Sequence, residues 1–216
     1  MSLPTSPTGL TDPAPVPTGD VAPAPPGVDP NAAHAGQPQL SLRALLREIV
    51  ETVILTVLIY AVVNFATGRF KVEGSSMEPS VHPNQYVLVD KISYWLGAPQ
   101  RGDVVVFNYP LATDRDFIKR IIGVPGETVS VANGAVSVNG QPLDEPYIAA
   151  PPVSSGTWQL GPHQYFVMGD NRNNSSDSRS WGPLERQYLI GKAVLTYWPP
   201  TNWGLVPHYT YASSHK

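Results

Sequence analysis

The distribution of apolar residues along the chain divides it into three parts. Residues 1–40 contain no long apolar run, residues 49–66 are almost continuously apolar, and the remainder has short apolar runs separated by turn residues. A long uninterrupted run is typical of a helix in an apolar environment, and short bounded runs are typical of β-strands. The pattern predicts a tail, one apolar helix and a single β-rich domain.

The tail comprises residues 1–40, which hold 10 of the 24 prolines and no Lys, Arg or aromatic residue. A segment of this composition cannot bury enough apolar surface to offset the entropy that ordering it would cost. We therefore expect residues 1–40 to be disordered and partly extended. A spacer role is favoured over recognition of the Pro-rich runs by a partner.

The predicted helix occupies residues 41–68, with Ser41 in the N-cap position. Its apolar run, at about 1.5 Å per residue, spans roughly 27 Å, which is close to the thickness of a hydrocarbon core. We interpret it as a transmembrane anchor. A buried core helix is the alternative, and Glu51 favours it. A cleaved signal peptide fits poorly, because the run begins deep in the chain and no Ala-x-Ala sequence follows it. Two basic residues flank each end, so the distribution of positive charge does not orient the helix.

Short runs rich in Val, Ile, Phe and Tyr predict the strands of the third part, residues 69–216. Turn sequences such as Asn-Gly and Pro-Gly separate them. The candidate strands are 86–90, 104–107, 117–122, 129–131, 135–138, 165–168 and 193–197. Their spacing, without helical periodicity, indicates an all-β domain of curled antiparallel sheets with a barrel-like form.

The composition excludes several kinds of function. A net charge of −3 gives no basic footprint for nucleic acid. The absence of cysteine excludes disulfides, a cysteine nucleophile and cysteine-ligated zinc. The five histidines are not spaced for a shared metal, so we expect no metal site. We also expect no cofactor. Charged residues make up 14% of the chain. Ordinary soluble proteins have about 25%, so part of this surface is expected not to face water.

One candidate strand, residues 117–122, carries two charges inside an apolar run. Strand side chains alternate between faces, so Phe117, Lys119 and Ile121 share one face while Arg120 points to the other. An ammonium among apolar neighbours is poorly solvated, and desolvation lowers the pKa of a lysine. A lysine that is neutral near pH 7 can act as a general base. We therefore look elsewhere in the chain for a group whose proton Lys119 could accept.

Two stretches rich in small polar residues supply candidate nucleophiles. They are residues 74–80, which include Ser76, and residues 169–179, which include Ser175. A serine hydroxyl needs a base to become nucleophilic, and no histidine lies near either stretch. The combination suggests a serine–lysine pair, a known variant of the catalytic triad. Each piece alone is also consistent with a polar turn, an edge-strand lysine or a loop held by Asx turns.

Three motifs, in order, resemble those of the bacterial type I signal peptidases, also called leader peptidases. They are Gly-x-Ser-Met-x-Pro from Gly74, Phe-Ile-Lys-Arg-Ile-Ile-Gly-x-Pro-Gly-Glu from Phe117, and Gly-Asp-Asn-Arg-x-Asn-Ser-x-Asp-Ser-Arg from Gly169. The resemblance extends from about residue 49 to residue 195, and it includes a single N-terminal anchor ahead of the three motifs. It implies a serine endopeptidase that removes signal peptides from exported preproteins, with Ser76 as nucleophile and Lys119 as general base.

The resemblance also assigns roles to further residues. It implies that Ser175 hydrogen-bonds and orients the lysine, and that the backbone N–H of Ser76 stabilises the oxyanion. Gly74 stands where some members carry a second, hydroxyl donor. Arg120 is expected to pair with acids of the third motif in a structural network that comprises Asp170, Asp177 and Arg179. Shallow pockets for small residues one and three positions before the cut, the Ala-x-Ala pattern, are expected to be lined by Val72, Met77, Val81, Phe117 and Ile118.

Location and partners follow from the same resemblance. It implies a single-pass protein of the cytoplasmic membrane, with the tail in the cytoplasm and residues 69–216 outside. The implied partners are signal peptides of secreted preproteins and the lipid bilayer, and we expect a monomer with no nucleic-acid partner.

Two rival interpretations remain open. A self-cleaving repressor-like protease shares the first motif and a lysine, but it lacks an anchor and the third motif. A catalytically silent β-domain that binds exported peptides or scaffolds other membrane proteins is a rival of another class.

Overall fold

The computed structural model describes residues 41–211, so the predicted tail lies outside the described residues. The first element is the helix α1 (Leu42–Ala66). Its N-terminus is capped as predicted, because the Ala44 N–H donates a 3.2 Å hydrogen bond to Ser41 Oγ. None of its residues is buried, which argues against a core helix. Among the described residues, it is the one helix long and apolar enough to cross a membrane.

Twelve strands and two short helices follow within the described chain. The strands are β1 (Thr67–Lys71), β2 (Tyr86–Asp90), β3 (Val104–Asn108), β4 (Asp116–Gly123), β5 (Thr128–Ala132), β6 (Ala135–Val138), β7 (Gln141–Pro142), β8 (Gly156–Gln159), β9 (Gln164–Met168), β10 (Leu184–Glu185), β11 (Leu189–Trp198) and β12 (Gly204–Leu205). The helices are α2 (Ser93–Leu96) and α3 (Ser178–Trp181). Single 3-10 turns occupy Arg186–Tyr188 and Pro200–Asn202.

The strands form two antiparallel sheets. The larger sheet has the order β1-β2-β11-β3-β4-β9-β10, with β12 also paired to β11, and the smaller has the order β7-β6-β5-β8. The long strand β11 shifts register twice against β2, between Ala193 and Leu195 and between Thr196 and Trp198. Such bulges bend a strand and increase its twist. The prediction of an all-β, curled antiparallel domain is therefore confirmed.

All seven predicted strands are present, and the unpredicted ones are mostly short. The candidate at 86–90 coincides with β2, whereas that at 193–197 is the second half of β11, which begins at Leu189. The strand β1 has the sequence Thr-Gly-Arg-Phe-Lys, which lacks an apolar run. The strand β1 forms because all five of its residues pair with β2 in an antiparallel ladder, from Thr67 opposite Asp90 to Lys71 opposite Tyr86.

The strand β4 lies in the interior of the larger sheet. It pairs with β3 on one side and with β9 on the other, so Lys119 is not an edge-strand lysine. Lys119 lies opposite Val105, and Arg120 lies opposite both Val104 and Met168. Apolar clusters surround these charges: Ile118 belongs to one cluster and Ile121 to another. Two charged side chains are thus held in a core strand, where each needs a specific partner.

The backbone near Tyr209 packs closely against Gly102. Its φ is +91°, and a Cβ at this position would overlap the carbonyl of Tyr209. Gly140 has a similar φ of +79°, but it has open space around it. We expect Gly140→Ala to cost about 1–3 kcal/mol from backbone strain alone. Gly102→Ala should lower the melting temperature of the full chain in detergent further, because it must also displace residues near Tyr209. Equal shifts for the two variants would contradict this packing.

Candidate active site

Ser76 lies in the turn that follows β1, and the third motif holds its backbone. The Asn171 N–H donates a 3.0 Å hydrogen bond to the carbonyl of Ser76. The side-chain amide of Asn171 donates to the carbonyl of Ser75 at 3.2 Å, and that of Asn174 donates to Ser75 Oγ at 2.9 Å. The turn is therefore fixed by residues that lie almost 100 positions later in the chain.

Lys119 extends from β4 to the hydroxyl of Ser76. The distance between Lys119 Nζ and Ser76 Oγ is 2.7 Å, and Nζ also donates a 2.9 Å hydrogen bond to the carbonyl of Ile118. Lys119 is only 4% exposed. The predicted pairing of a serine with a buried lysine is thus present as a direct contact between side chains 43 residues apart in sequence.

Burial sets the proton affinity of this lysine. Desolvation lowers the pKa of Lys119 from 10.5 to about 8, although the negative charges of Asp177 and Asp170 act in the opposite direction. The ring of Phe117 lies 5.2 Å from Nζ. A pKa near 8 leaves an appreciable neutral fraction at physiological pH, and the neutral amine can accept a proton from the adjacent hydroxyl.

Ser175 lies beside the pair but makes no hydrogen bond to Lys119. Its Oγ is buried, and it has no hydrogen-bond partner within residues 41–211. A side chain at Gly169 would overlap both Ser175 Oγ and the carbonyl of Ser76. Glycine at position 169 therefore allows the two serine segments to approach each other closely.

Arg120 points away from Lys119 and forms a fully buried ion pair. Its Nε and Nη2 donate to the two carboxylate oxygens of Asp170 at 2.8 and 2.7 Å, and both side chains have 0% exposure. Its Nη1 donates to the carbonyls of Gly102 and Pro207. Of the acids expected to pair with Arg120, Asp170 is the one that it contacts.

Asp177, the other acid of the third motif expected to pair with Arg120, contacts Arg179 instead. Its carboxylate accepts two side-chain hydrogen bonds from Arg179 at 2.8 Å each. It also accepts the N–H of Gly169 at 3.0 Å and caps the N-terminus of α3. Asp177 therefore fixes the start and the end of the third motif relative to each other.

A second buried ion pair near the site was not predicted from the sequence. Arg172 donates to both carboxylate oxygens of Glu145 at 2.6 and 2.7 Å. The ring of Tyr147 lies 4.1 Å from the guanidinium carbon of Arg120 and 5.8 Å from that of Arg172. Glu145 and Tyr147 lie in an irregular segment without a recognisable motif, so the sequence contained no local signal for these contacts.

A cleft of about 850 Å³ opens at the serine–lysine pair. Three of the predicted pocket residues, Val72, Phe117 and Ile118, line it together with the chain from Arg69 to Ser76. Met77 and Val81 do not line it; they have 0% exposure and belong to the same core cluster as Val72 and Ile118. The cleft is thus bordered by the edge strand β1 on one side and by β4 on the other.

The backbone at the start of the first motif makes few hydrogen bonds of its own. Gly74 has a φ of +77°, with no atom within 4 Å of the position that a Cβ would take. Within residues 41–211, the N–H of Ser76 has no hydrogen-bond acceptor. The Ser76 N–H is therefore available to donate to an oxygen atom of a bound molecule. Residues 41–211 contain no cluster of His, Asp and Glu that could hold a metal ion.

Comparison with known proteins finds signal peptidases, both by family model and among individual relatives. The family model described as "Signal peptidase, peptidase S26" matches residues 45–198. A protein of Leptolyngbya laminosa named signal peptidase I is 39% identical over 192 residues, which cover 83% of this chain and 92% of the relative. Signal peptidase I of Mycobacterium tuberculosis is 33% identical, with 82% of this chain and 81% of the relative covered. Signal peptidase I S of Bacillus subtilis is 37% identical, with 68% and 85% covered.

A solved structure also resembles this chain. The crystal structure of a signal peptidase I from Enterococcus faecalis is 31% identical in sequence, with a TM-score of 0.42. The match covers 44% of this chain and 97% of that chain.

The buried pair of Arg120 and Asp170 should dominate the stability of this site. Asp170→Asn leaves a buried guanidinium without a countercharge, which typically costs about 3–5 kcal/mol. Glu127→Gln is a matched control, because its partner Arg101 and Glu127 itself are partly exposed, at 19% and 16%. We expect this control to lose about 1 kcal/mol or less. Urea unfolding of the full chain in detergent measures both, and similar losses would argue against a special role for the buried pair.

Proposed function

This chain belongs to the peptidase S26 family of signal peptidases, serine hydrolases that remove signal peptides, and on that premise we propose that it acts through a catalytic pair of Ser76 and Lys119. The observation that carries the proposal is the 2.7 Å distance between Lys119 Nζ and Ser76 Oγ. No histidine takes part, and the base is an amine whose burial lowers its pKa to about 8.

The proposed reaction begins when neutral Lys119 accepts the proton of the Ser76 hydroxyl. The resulting alkoxide attacks the carbonyl carbon of the scissile bond, and the protonated lysine then gives its proton to the leaving amine. This step yields an acyl-enzyme on Ser76 and a free N-terminus on the mature protein. In the second half, Lys119 accepts a proton from water and the hydroxide attacks the carbonyl carbon of the ester. The bond between that carbon and Ser76 Oγ then breaks, Oγ takes the proton back from Lys119, and the signal peptide leaves with a free C-terminal carboxyl group.

The N–H of Ser76 is the proposed first donor to the oxyanion. It is free of other acceptors, and removing one such donor typically costs about 3–4 kcal/mol in the transition state. Gly74 supplies no hydroxyl, so a second donor, where one acts, is a backbone group. The hydrogen bonds from Asn171 and Asn174 to the turn support this role, because they fix the direction of the Ser76 peptide.

We propose that the substrate lies in the cleft as an extended strand that extends the sheet at β1. Main-chain hydrogen bonds then give affinity, and alternate side chains enter pockets. Val72, Phe117 and Ile118 supply the apolar part of the cleft lining near the pair. This lining favours small residues one and three positions before the cut, as in Ala-x-Ala, largely by steric exclusion of larger ones.

The helix α1 is the proposed membrane anchor. Its 25 residues reach about 37 Å at about 1.5 Å each, which is enough to cross a hydrocarbon core. An apolar helix without buried residues fits a membrane-anchored protein. We propose a single-pass monomer of the cytoplasmic membrane, with residues 69–216 outside and the signal peptides of exported preproteins as substrates.

The alternative of a catalytically silent peptide-binding domain is tested by substitution. We expect Ser76→Ala and Lys119→Ala to reduce cleavage of a preprotein below detection, because either removes one half of the pair. Lys119→Arg is expected to be equally inactive, since a guanidinium stays charged at the pH of the assay. Ser130→Ala, in the smaller sheet, should cleave normally. N-terminal sequencing of the product, with the full chain in detergent, measures the cut, and retained cleavage in either alanine variant would falsify the pair.

The pKa of Lys119 predicts how cleavage depends on pH. The base must be neutral to accept a proton, so activity is present above pH 8 and is lost as the pH falls through 8. The value of kcat/KM should fall about tenfold for each pH unit below that point. A profile measured with a preprotein between pH 6 and pH 10 tests this. A lower limb centred near 10.5 would show that the lysine is not desolvated when it reacts.

A further inference from the structure

A second cavity, of about 520 Å³, lies on another part of the larger sheet. It shares no lining residue with the cleft at Ser76. Its polar lining includes the cations Lys91 and Arg186, the imidazole of His163 and the carboxylate of Glu185. Trp95 borders it, and a neighbouring cavity on the same surface shares Trp95, His163 and Arg186. The proposed catalysis uses none of these residues.

This cavity lies directly at the end of α1. The Lys91 N–H donates a 3.0 Å hydrogen bond to the carbonyl of Ala66, the last residue of the helix. The ring of Trp95 packs edge-on against Phe65, with 5.3 Å between the ring centres. If α1 spans a bilayer, its end marks the boundary between hydrocarbon and headgroups. Lys91 and Trp95 are then held at that boundary, where tryptophan and snorkelling lysine side chains are favoured.

Arg186 is held in place at the same level. Its Nη2 donates to the carbonyl of Tyr94 at 2.7 Å, and its Nη1 donates to the hydroxyl of Tyr165 at 3.3 Å. Both acceptors are neutral, so the positive charge of Arg186 is not cancelled by them. The side chain remains exposed beyond these two contacts. A fixed guanidinium with an open face is suited to a phosphate oxygen.

The charges around the cavity match a monoanion. Glu185 opposes the two cations, and its Oε1 accepts a hydrogen bond from Gln164 at 2.7 Å. The formal charges of Lys91, Arg186 and Glu185 together leave one net positive charge. A phosphodiester carries one negative charge. The exposed apolar side chains of Trp95 and Leu96, at 68% and 88%, lie beside the cavity in a position to contact acyl chains.

We propose that this cavity binds the phosphodiester headgroup of an anionic phospholipid, with Lys91 and Arg186 on the phosphate and the acyl chains along Trp95 and Leu96. The proposal rests on the membrane anchoring of α1 proposed above. It makes the catalytic domain sit at a defined height on the bilayer, because one lipid is fixed between the sheet and the end of the anchor.

The experiment uses the full chain in a neutral detergent and native mass spectrometry to count retained lipids. Phosphatidylglycerol is the anionic probe, phosphatidylcholine the zwitterionic one, and inorganic phosphate the free anion. We expect a one-to-one complex with phosphatidylglycerol that is weakened about fivefold by Lys91→Gln and by Arg186→Gln, and more by both together. Arg115→Gln removes the same charge from the hairpin between β3 and β4, and it should leave lipid retention unchanged.

Three results would overturn the proposal. They are equal retention of phosphatidylglycerol in the double variant and the unchanged chain, equal retention of phosphatidylcholine, and displacement of the lipid by inorganic phosphate at similar concentration. A melting curve shows whether Arg186→Gln unfolds the protein. If it does, Lys91→Gln still tests the site, because this substitution keeps the hydrogen bond of the Lys91 backbone. Cleavage of a preprotein by the same samples is measured in parallel. If the unchanged chain does not cleave the preprotein, the proposed function is wrong. If it cleaves the preprotein but does not retain phosphatidylglycerol selectively, only the lipid site is wrong.

Discussion

The arrangement of the catalytic domain depends on keeping one amine out of water. Lys119 is buried in an interior strand, and its desolvation is the largest influence on its pKa. Two carboxylates, Asp170 and Asp177, act against that influence. Each of them is engaged by its own arginine, Arg120 or Arg179, through two hydrogen bonds. The ion pairs therefore provide countercharges for the acids without placing an acid directly on the lysine.

The adjacent residues Lys119 and Arg120 illustrate how strand geometry separates two tasks. Alternation sends one side chain to the cleft and the other to the opposite side of β4. A lysine can lose its proton when buried, whereas an arginine cannot, so the two basic residues are not interchangeable here. The arginine joins β4 to the third motif and to the carbonyls of Gly102 and Pro207. The amine of Lys119 contacts the hydroxyl of Ser76.

Sequence patterns predicted the elements well but predicted long-range pairing only in part. The all-β class, the strands around Lys119 and the cap at Ser41 follow from local residues. The choice of Asp170 over Asp177 does not, because it depends on register: Met168 lies opposite Arg120, which puts Asp170 just beyond the end of β9. Asp177 is occupied locally, as the N-cap of α3 and the partner of Arg179 two positions later. The pair of Arg172 and Glu145 joins a motif to an irregular segment, so no local pattern indicated it.

The clamp on the turn that carries Ser76 has a consequence for when the protein becomes active. Asn171 holds that turn across 95 positions of sequence, and residues as late as Pro207 and Tyr209 bond to the sheet beneath it. Contacts over such separations form late, because closing long loops is entropically unfavourable until both ends are present. A partly synthesised chain therefore has the serine and the lysine but lacks the segment that orients them. The turn that carries Ser76 is therefore fixed only after the third motif has been synthesised.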